Sequence, residues 1–250
     1  MSGIIFSSAL MVFTHSLAIG TMPAAVEKTG NNSQWEMIED SQGITVSERW
    51  TSDKSLPAFR GRTTIDASVW DILAILQDTP RSKEWVHKCV ESYQLENPGP
   101  TEYVIYNRVD SPWPFSDRDV VVASNVIFKP ERQEVVIDIQ SVVRSEEPPR
   151  DGVVRMPNLK GHYRFKLVSP SKTWVEYQID ADPGGLLPSW LARLASRDLP
   201  FRTLEGLRDR LEWANENGNY RKIAKSFREM YEKRYRGRVE EVANAIHSAP

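Results

Sequence analysis

The chain has 250 residues, 40% of them hydrophobic and 26% charged, with a formal net charge of −2. That composition is ordinary for a soluble globular protein of one large or two small domains, and the near-neutral charge gives no nucleic-acid signature. A single cysteine, Cys89, excludes an intrachain disulfide and the paired-cysteine pattern of a zinc site, so no metal and no cofactor is expected.

Residues 1–26 contain no Asp, Glu, Lys or Arg. Residues 4–20 are mostly apolar but are interrupted by Ser7, Ser8, Thr14, His15 and Ser16, which makes them a poor spanning helix. They fit the apolar region of a secretory signal, with small-residue cleavage sites after Ala18 or Gly20 and no preceding cation. A leader over 1–20 predicts a periplasmic or secreted protein, and an uncleaved one a cytoplasmic protein. A polar linker over 21–34 comes next.

Trp35-Glu-Met-Ile-Glu39 opens a domain, and 44–50 reads as a strand after the turn at Ser41-Gln-Gly43. Residues 59–65 alternate, with Phe59, Gly61, Thr63 and Ile65 on one face. Asp66-Ala-Ser68 signals a helix start, and Val69, Ile72, Leu73 and Leu76 give its apolar stripe. Pro80 starts a short helix that contains Trp85. Strands are expected over 93–96 and 103–109, flanking the turn at Asn97-Pro-Gly-Pro100. The segment Ser111-Pro-Trp-Pro-Phe-Ser116 cannot be a ladder strand, because its prolines lack amide donors. A buried strand follows over 120–128, then alternating strands containing Ile137 and Ile139, Tyr163 and Phe165, and Tyr177 and Ile179. This much alternation predicts an antiparallel sheet with one buried face.

Asp182-Pro-Gly-Gly185 ends the sheet. A long helix follows, with Leu187, Leu191, Leu194, Phe201, Leu204, Leu207 and Leu211 as its stripe. Pro200 is expected to kink or break it. After a break at 215–219, residues 220–236 form a second amphipathic pattern, with Tyr220, Ile223, Ala224, Phe227, Tyr231 and Tyr235 on one face. Residues 219–238 carry eight Lys or Arg against two Glu. Such a tail is read either as an interfacial helix, with peripheral contact to an anionic membrane through 220–238, or as a solvated helix packed on the domain. Strands, short helices, more strands and a long C-terminal helix make an α+β arrangement.

Several landmarks recur in a fixed order: Trp35-Glu-Met-Ile38, Gly43-Ile-Thr-Val46, Phe59-Arg-Gly61, Trp85, Pro112-Trp-Pro114, Asp117-Arg-Asp119, residues 155–161 and residues 177–190. Together they resemble the START domain, the lipid-transfer module of the helix-grip fold, in its small exported bacterial form. The START domain is placed at 35–216 and a basic amphipathic tail at 217–250. The resemblance runs from about Trp35 to Leu211, so the tail lies outside it. It implies a curved antiparallel sheet wrapped around the C-terminal helix and a hydrophobic tunnel for one lipid. It also implies an entrance built from the loop at 111–117, with Trp113 and Phe115, and the C-terminal helix.

Val104, Tyr106, Val120, Val122 and Ser124 are read as sharing one inward face. Ile137, Ile139, Tyr163, Phe165, Tyr177 and Ile179 join them from later strands, and Leu191 and Leu194 from the helix. Tyr106 is the sharpest candidate, since a buried phenol needs a partner. Sterol-binding members carry a buried acidic/basic pair that aligns here with Tyr106 and Ser124, neither of them charged. Arg118 and Asp119 are expected to form an ion pair or to cap the loop. The expected activity is non-catalytic binding of one lipid for transfer or sensing, by a monomer. The alternative is an enzyme like the polyketide cyclases and aromatases of the same fold. Such chemistry needs acid/base groups inside the cavity, and none of His15, His87, His162 and His247 is placed for it.

Overall fold

The computed structural model describes residues 34–51, 54–99, 101–217, 220–230 and 233. The expected leader, most of the linker and the end of the tail, including Tyr231 and Tyr235, lie outside the described residues.

Ten strands build one curved sheet: β1 (Glu36–Ser41), β2 (Ile44–Arg49), β3 (Ala58–Ile65), β4 (Cys89–Gly99), β5 (Glu102–Val109), β6 (Asp117–Lys129), β7 (Glu134–Ser141), β8 (Val153–Arg155), β9 (Asn158–Ser169) and β10 (Lys172–Asp182). Their order is β1-β2-β3-β10-β9-β7-β6-β5-β4, with antiparallel pairing along this path. The short β8 pairs in parallel with the start of β6. Helices α1 (Val69–Gln77) and α2 (Ser189–Asn217) pack on one face of the sheet, which makes the helix-grip arrangement.

Local chemistry explains the elements. Ser68 caps α1 by accepting a hydrogen bond from the Asp71 amide at 3.2 Å, and Val69, Ile72 and Leu73 bury the helical stripe. In β2 the buried Ile44 and Val46 alternate with half-buried residues, as a strand with one covered face requires. The three-residue β8 follows a proline-rich loop and gives no periodic signal in sequence.

Pro200 does not break α2, contrary to expectation. It is buried where the helix crosses β3, and Gly61 makes that crossing possible. A Cβ on Gly61 would lie 2.8 Å from Leu204 Cδ1 and 3.0 Å from Pro200 Cβ. The contact offsets the hydrogen bond that proline cannot donate. The expected break at 215 also comes later, because α2 continues to Asn217.

The described part of the tail packs on the domain, one of the two arrangements its pattern allows. Residues 220–230 are helical, and Tyr220, Ala224 and Phe227 are buried in the main core rather than left open to lipid. The Tyr220 hydroxyl donates to Asp78 at 2.6 Å and accepts from Arg210 at 2.9 Å. The outward side of this helix is the basic one, with Arg221, Lys222 and Lys225 exposed.

Candidate functional site

Register decides which side chains face α2. Gly61 touches α2, stands opposite Tyr177, and Tyr177 stands opposite Tyr163. The same line continues through Ile137 and Val126. The face therefore holds Phe59, Tyr177, Ile179, Tyr163, Phe165, Ile137, Ile139, Val120, Val122 and Ser124. All but Ser124 belong to or pack against one core cluster. Tyr163 and Tyr177 stack at 4.3 Å between centroids. Burial drives both phenols well above their ordinary pKa, so they stay neutral hydrogen-bonding groups.

Val104 and Tyr106 are not on this face, which corrects their assignment. β5 and β6 pair Ile105 with Val122 and Tyr106 with Val121. In strands, neighbours in sequence point to opposite faces, so this register puts Tyr103, Ile105 and Asn107 inward instead. Val104, Tyr106 and Val121 form a second, smaller cluster on the outer face. Tyr106 stacks on Tyr93 at 4.8 Å and lies under the Arg150 guanidinium, 4.3 Å from its ring centroid. Burial, then the nearby Asp119 carboxylate, push its pKa up. The positions aligned with the sterol-binding pair, Tyr106 and Ser124, thus stand on opposite faces. An open hollow of about 570 Å³ also lies on the outer side, lined by polar groups including Asn125, Asp138, Gln140, Arg144 and Lys160.

Leu194 is the second correction. It is 48% exposed, whereas Ala192 is buried. The face of α2 turned toward the sheet runs through Ala192, Ser196, Leu199, Thr203 and Leu207, a three-to-four-residue spacing that leaves the leucine stripe in the first half and rejoins it at Leu207. Leu191 is half-buried beside it.

Arg118 and Asp119 do not pair, because they point to opposite faces. Asp119 is held outside by Arg155 through two hydrogen bonds of 2.7 and 3.1 Å. Arg118 is held inside and does cap the loop, with Nη1 donating to the Ser116 carbonyl and, at 3.4 Å, to Ser111 Oγ. That loop leaves Trp113 93% exposed and Phe115 half-buried. On α2 and its lead-in, Leu186 and Trp190 are exposed too. Between the lead-in and β10 lie Gly184 and Gly185, at φ +63 and +64, the left-handed region that glycine enters without strain.

Two ion pairs tie the first half of α2 to the sheet edge. Arg193 holds the buried Glu48 through two contacts of 2.8 Å, and Trp50 Nε1 adds a third at 3.2 Å. One turn on, Arg197 lies 3.8 Å from Glu39. Neither carboxylate was singled out in the sequence, although Glu48 falls in phase with the buried Ile44 and Val46. His162 lies 3.2 Å from Glu176 on the outer face.

The START domain family model matches residues 26–215. The chain belongs to the START domain family. It is 32% identical over 199 residues to an uncharacterized protein of Pseudomonas aeruginosa, covering 78% of this chain and 97% of that one. It is 28% identical over 175 residues to the phosphatidylcholine transfer protein of Bos taurus, covering 67% and 79%. Among solved structures, the STAR-related lipid transfer protein from Xanthomonas axonopodis superposes with a TM-score of 0.66 at 31% identity, over 71% of this chain and 98% of that one.

Proposed function

We propose that this START domain holds one lipid, or a similar hydrophobic ligand, between the inner face of the sheet and the first half of α2. The task is transfer or sensing, without catalysis. The observation that carries the reading is the change in α2 along its length. On the side that runs through Ala192, Ser196 and Leu199 the first half carries small side chains at two of three positions and none of 193–199 is fully buried, whereas the second half buries Phe201, Thr203, Leu204, Leu207 and Leu211. Small side chains opposite an apolar, tyrosine-rich sheet favour a guest with no fixed polar geometry. Each methylene of a guest removed from water contributes about 0.8 kcal/mol. Likeness to a phosphatidylcholine transfer protein supports a lipid.

In this reading Trp113, Leu186 and Trp190 frame the entrance and meet the membrane from which the lipid is taken. An exported location follows if residues 1–20 are a cleaved leader. A cyclase-like reading would require a proton-transfer group on the inner face. Glu48 is an inner carboxylate, but Arg193 Nη2 donates to both of its oxygens and Trp50 Nε1 to one, which favours a structural role.

Delipidated protein incubated with a cell lipid extract and repurified is expected to retain one lipid class at about one molecule per chain, as read by mass spectrometry. Recovery of no lipid at any loading would overturn the proposal.

A further inference from the structure

The buried charged residues of the domain are Glu48, Arg118, Asp119, Glu134, Glu147, Glu176 and Arg210. All but one have a partner of opposite charge. Glu48 has Arg193, Asp119 has Arg155, Glu134 has Arg164, Glu147 has Arg150, Glu176 has Arg62, and Arg210 has Glu84. The exception is Arg118, 4% exposed and in direct ion-pair contact with no carboxylate among the described residues, the Asp117 carboxylate acting on it only through space. Its neighbour Asp117 points to the other face, where it lies 3.8 Å from Arg108 and accepts from the Ser111 amide at 3.3 Å.

Taking a charge out of water without a partner costs several kcal/mol. The Arg118 guanidinium recovers part of this through Nη1, which donates to the loop. Its Nε is buried with no hydrogen-bond partner among the described residues. Nη2 abuts the glycine turn, where a Cβ on Gly185 would lie 3.9 Å away. The Nε–Nη2 edge is the one with which arginine grips a carboxylate or phosphate in two parallel hydrogen bonds. The residue shares the inner face with Val120 and Val122 and sits between the tryptophan loop and the lead-in to α2, the two segments that frame the entrance.

We propose that Arg118 is an anion-binding residue, and that it takes the phosphate or carboxylate of an amphiphilic ligand whose hydrocarbon lies along the inner face. The ligand is then an acidic or phosphate-bearing lipid, oriented with its head at the entrance and its chain inward. This deepens the lipid-binding reading and rests on it. An anion there neutralises the unpaired guanidinium and draws the loop and the glycine turn together, so the charged head helps close the entrance over itself.

The test uses lysophosphatidic acid and a monoacylglycerol of the same chain length, which differ by the phosphate. The full chain is expected to bind the phosphate-bearing lipid about tenfold to a hundredfold more tightly. Arg118→Met is expected to lose that preference while binding the monoacylglycerol as before. Arg118→Lys, which keeps the charge but not the fork, is expected to fall between, and it carries the test if Arg118→Met does not fold. Undiminished preference in a folded variant overturns the proposal. Inorganic phosphate alone supplies a separate arm, read from the Arg118 Nε–H resonance. Saturation by phosphate without any lipid preference keeps the anion site but overturns the headgroup as its source. If neither lipid binds the unmodified protein, the lipid reading fails, and the phosphate arm alone decides the anion site.

Discussion

The two halves of α2 lie on the same sheet and are held to it by different forces. The second half is apolar and fitted closely: Leu204 and Leu207 are fully buried, and Gly61 is bare so that Pro200 and Leu204 can reach β3. The first half meets the sheet through Ala192, Ser196 and Leu199 and is tied down by Arg193–Glu48 and Arg197–Glu39, while Trp190 and Leu194 face solvent. Apolar burial grows with contact area and is insensitive to salt. Ion pairs at a partly exposed edge are weaker, screened and reversible. One helix is therefore held by an apolar anchor at one end and an ion-pair latch at the other.

The sharpest way to break this comparison is to damage the anchor. Leu207→Ala is expected to destabilise the fold by about 2–5 kcal/mol in chemical denaturation, because it leaves a cavity in a closed core. A loss as small as that of an exposed leucine would show that the halves do not differ. Acid provides a second contrast in the body of the sheet. Burial alone would raise the pKa of Glu176, but His162, Arg62 and Arg164 outweigh it and hold it at about 2. A depressed acid contributes its stabilisation above its unfolded pKa and loses it as pH falls through the folded value. Stability is thus expected to fall by about 2–3 kcal/mol between pH 4.5 and 2 through this group. Glu176→Gln should flatten that part of the curve, and an unchanged slope would remove Glu176 as its cause.

Smaller effects belong to the latch. Glu48→Gln leaves Arg193 without its carboxylate and is expected to cost about 1–2 kcal/mol. Hydrogen exchange should quicken over residues 189–199 and not over 201–211, and equal quickening in both would contradict the latch. The smallest expected change is Leu194→Ala, within about 0.5 kcal/mol of the unmodified protein. A larger loss would put Leu194 back against the sheet.

Much of this was legible in the sequence. Alternation placed the strands, the prolines around Trp113 located the loop between β5 and β6, and Asp182-Pro-Gly-Gly185 marked where the sheet gives way to α2. The facing of β7, β9 and β10 followed from their pattern, because most of their apolar residues fall on one parity, with Val136 and Trp174 as exceptions. β5 was misread because Val104 and Tyr106 are as apolar as Tyr103 and Ile105. Only the pairing of Tyr106 with Val121 reveals that the outer face is covered by Arg150 and its neighbours. Leu194 was misread because a leucine stripe is a stronger signal than the small residues Ala192 and Ser196, which face the sheet. The tail's amphipathic pattern serves a membrane or a core alike, and sequence alone does not choose; Tyr220, Ala224 and Phe227 lie in the core while the basic side faces outward.

The central claim is that a guest lies beneath the first half of α2. Hydrogen exchange of the delipidated chain, compared with the same chain loaded with lipid, tests it most directly. Loading is expected to slow exchange over residues 189–199 and the loop at 111–116, and to leave residues 201–211 unchanged. Uniform protection of both halves, or protection confined to the outer hollow around Asn125 and Lys160, would contradict the account.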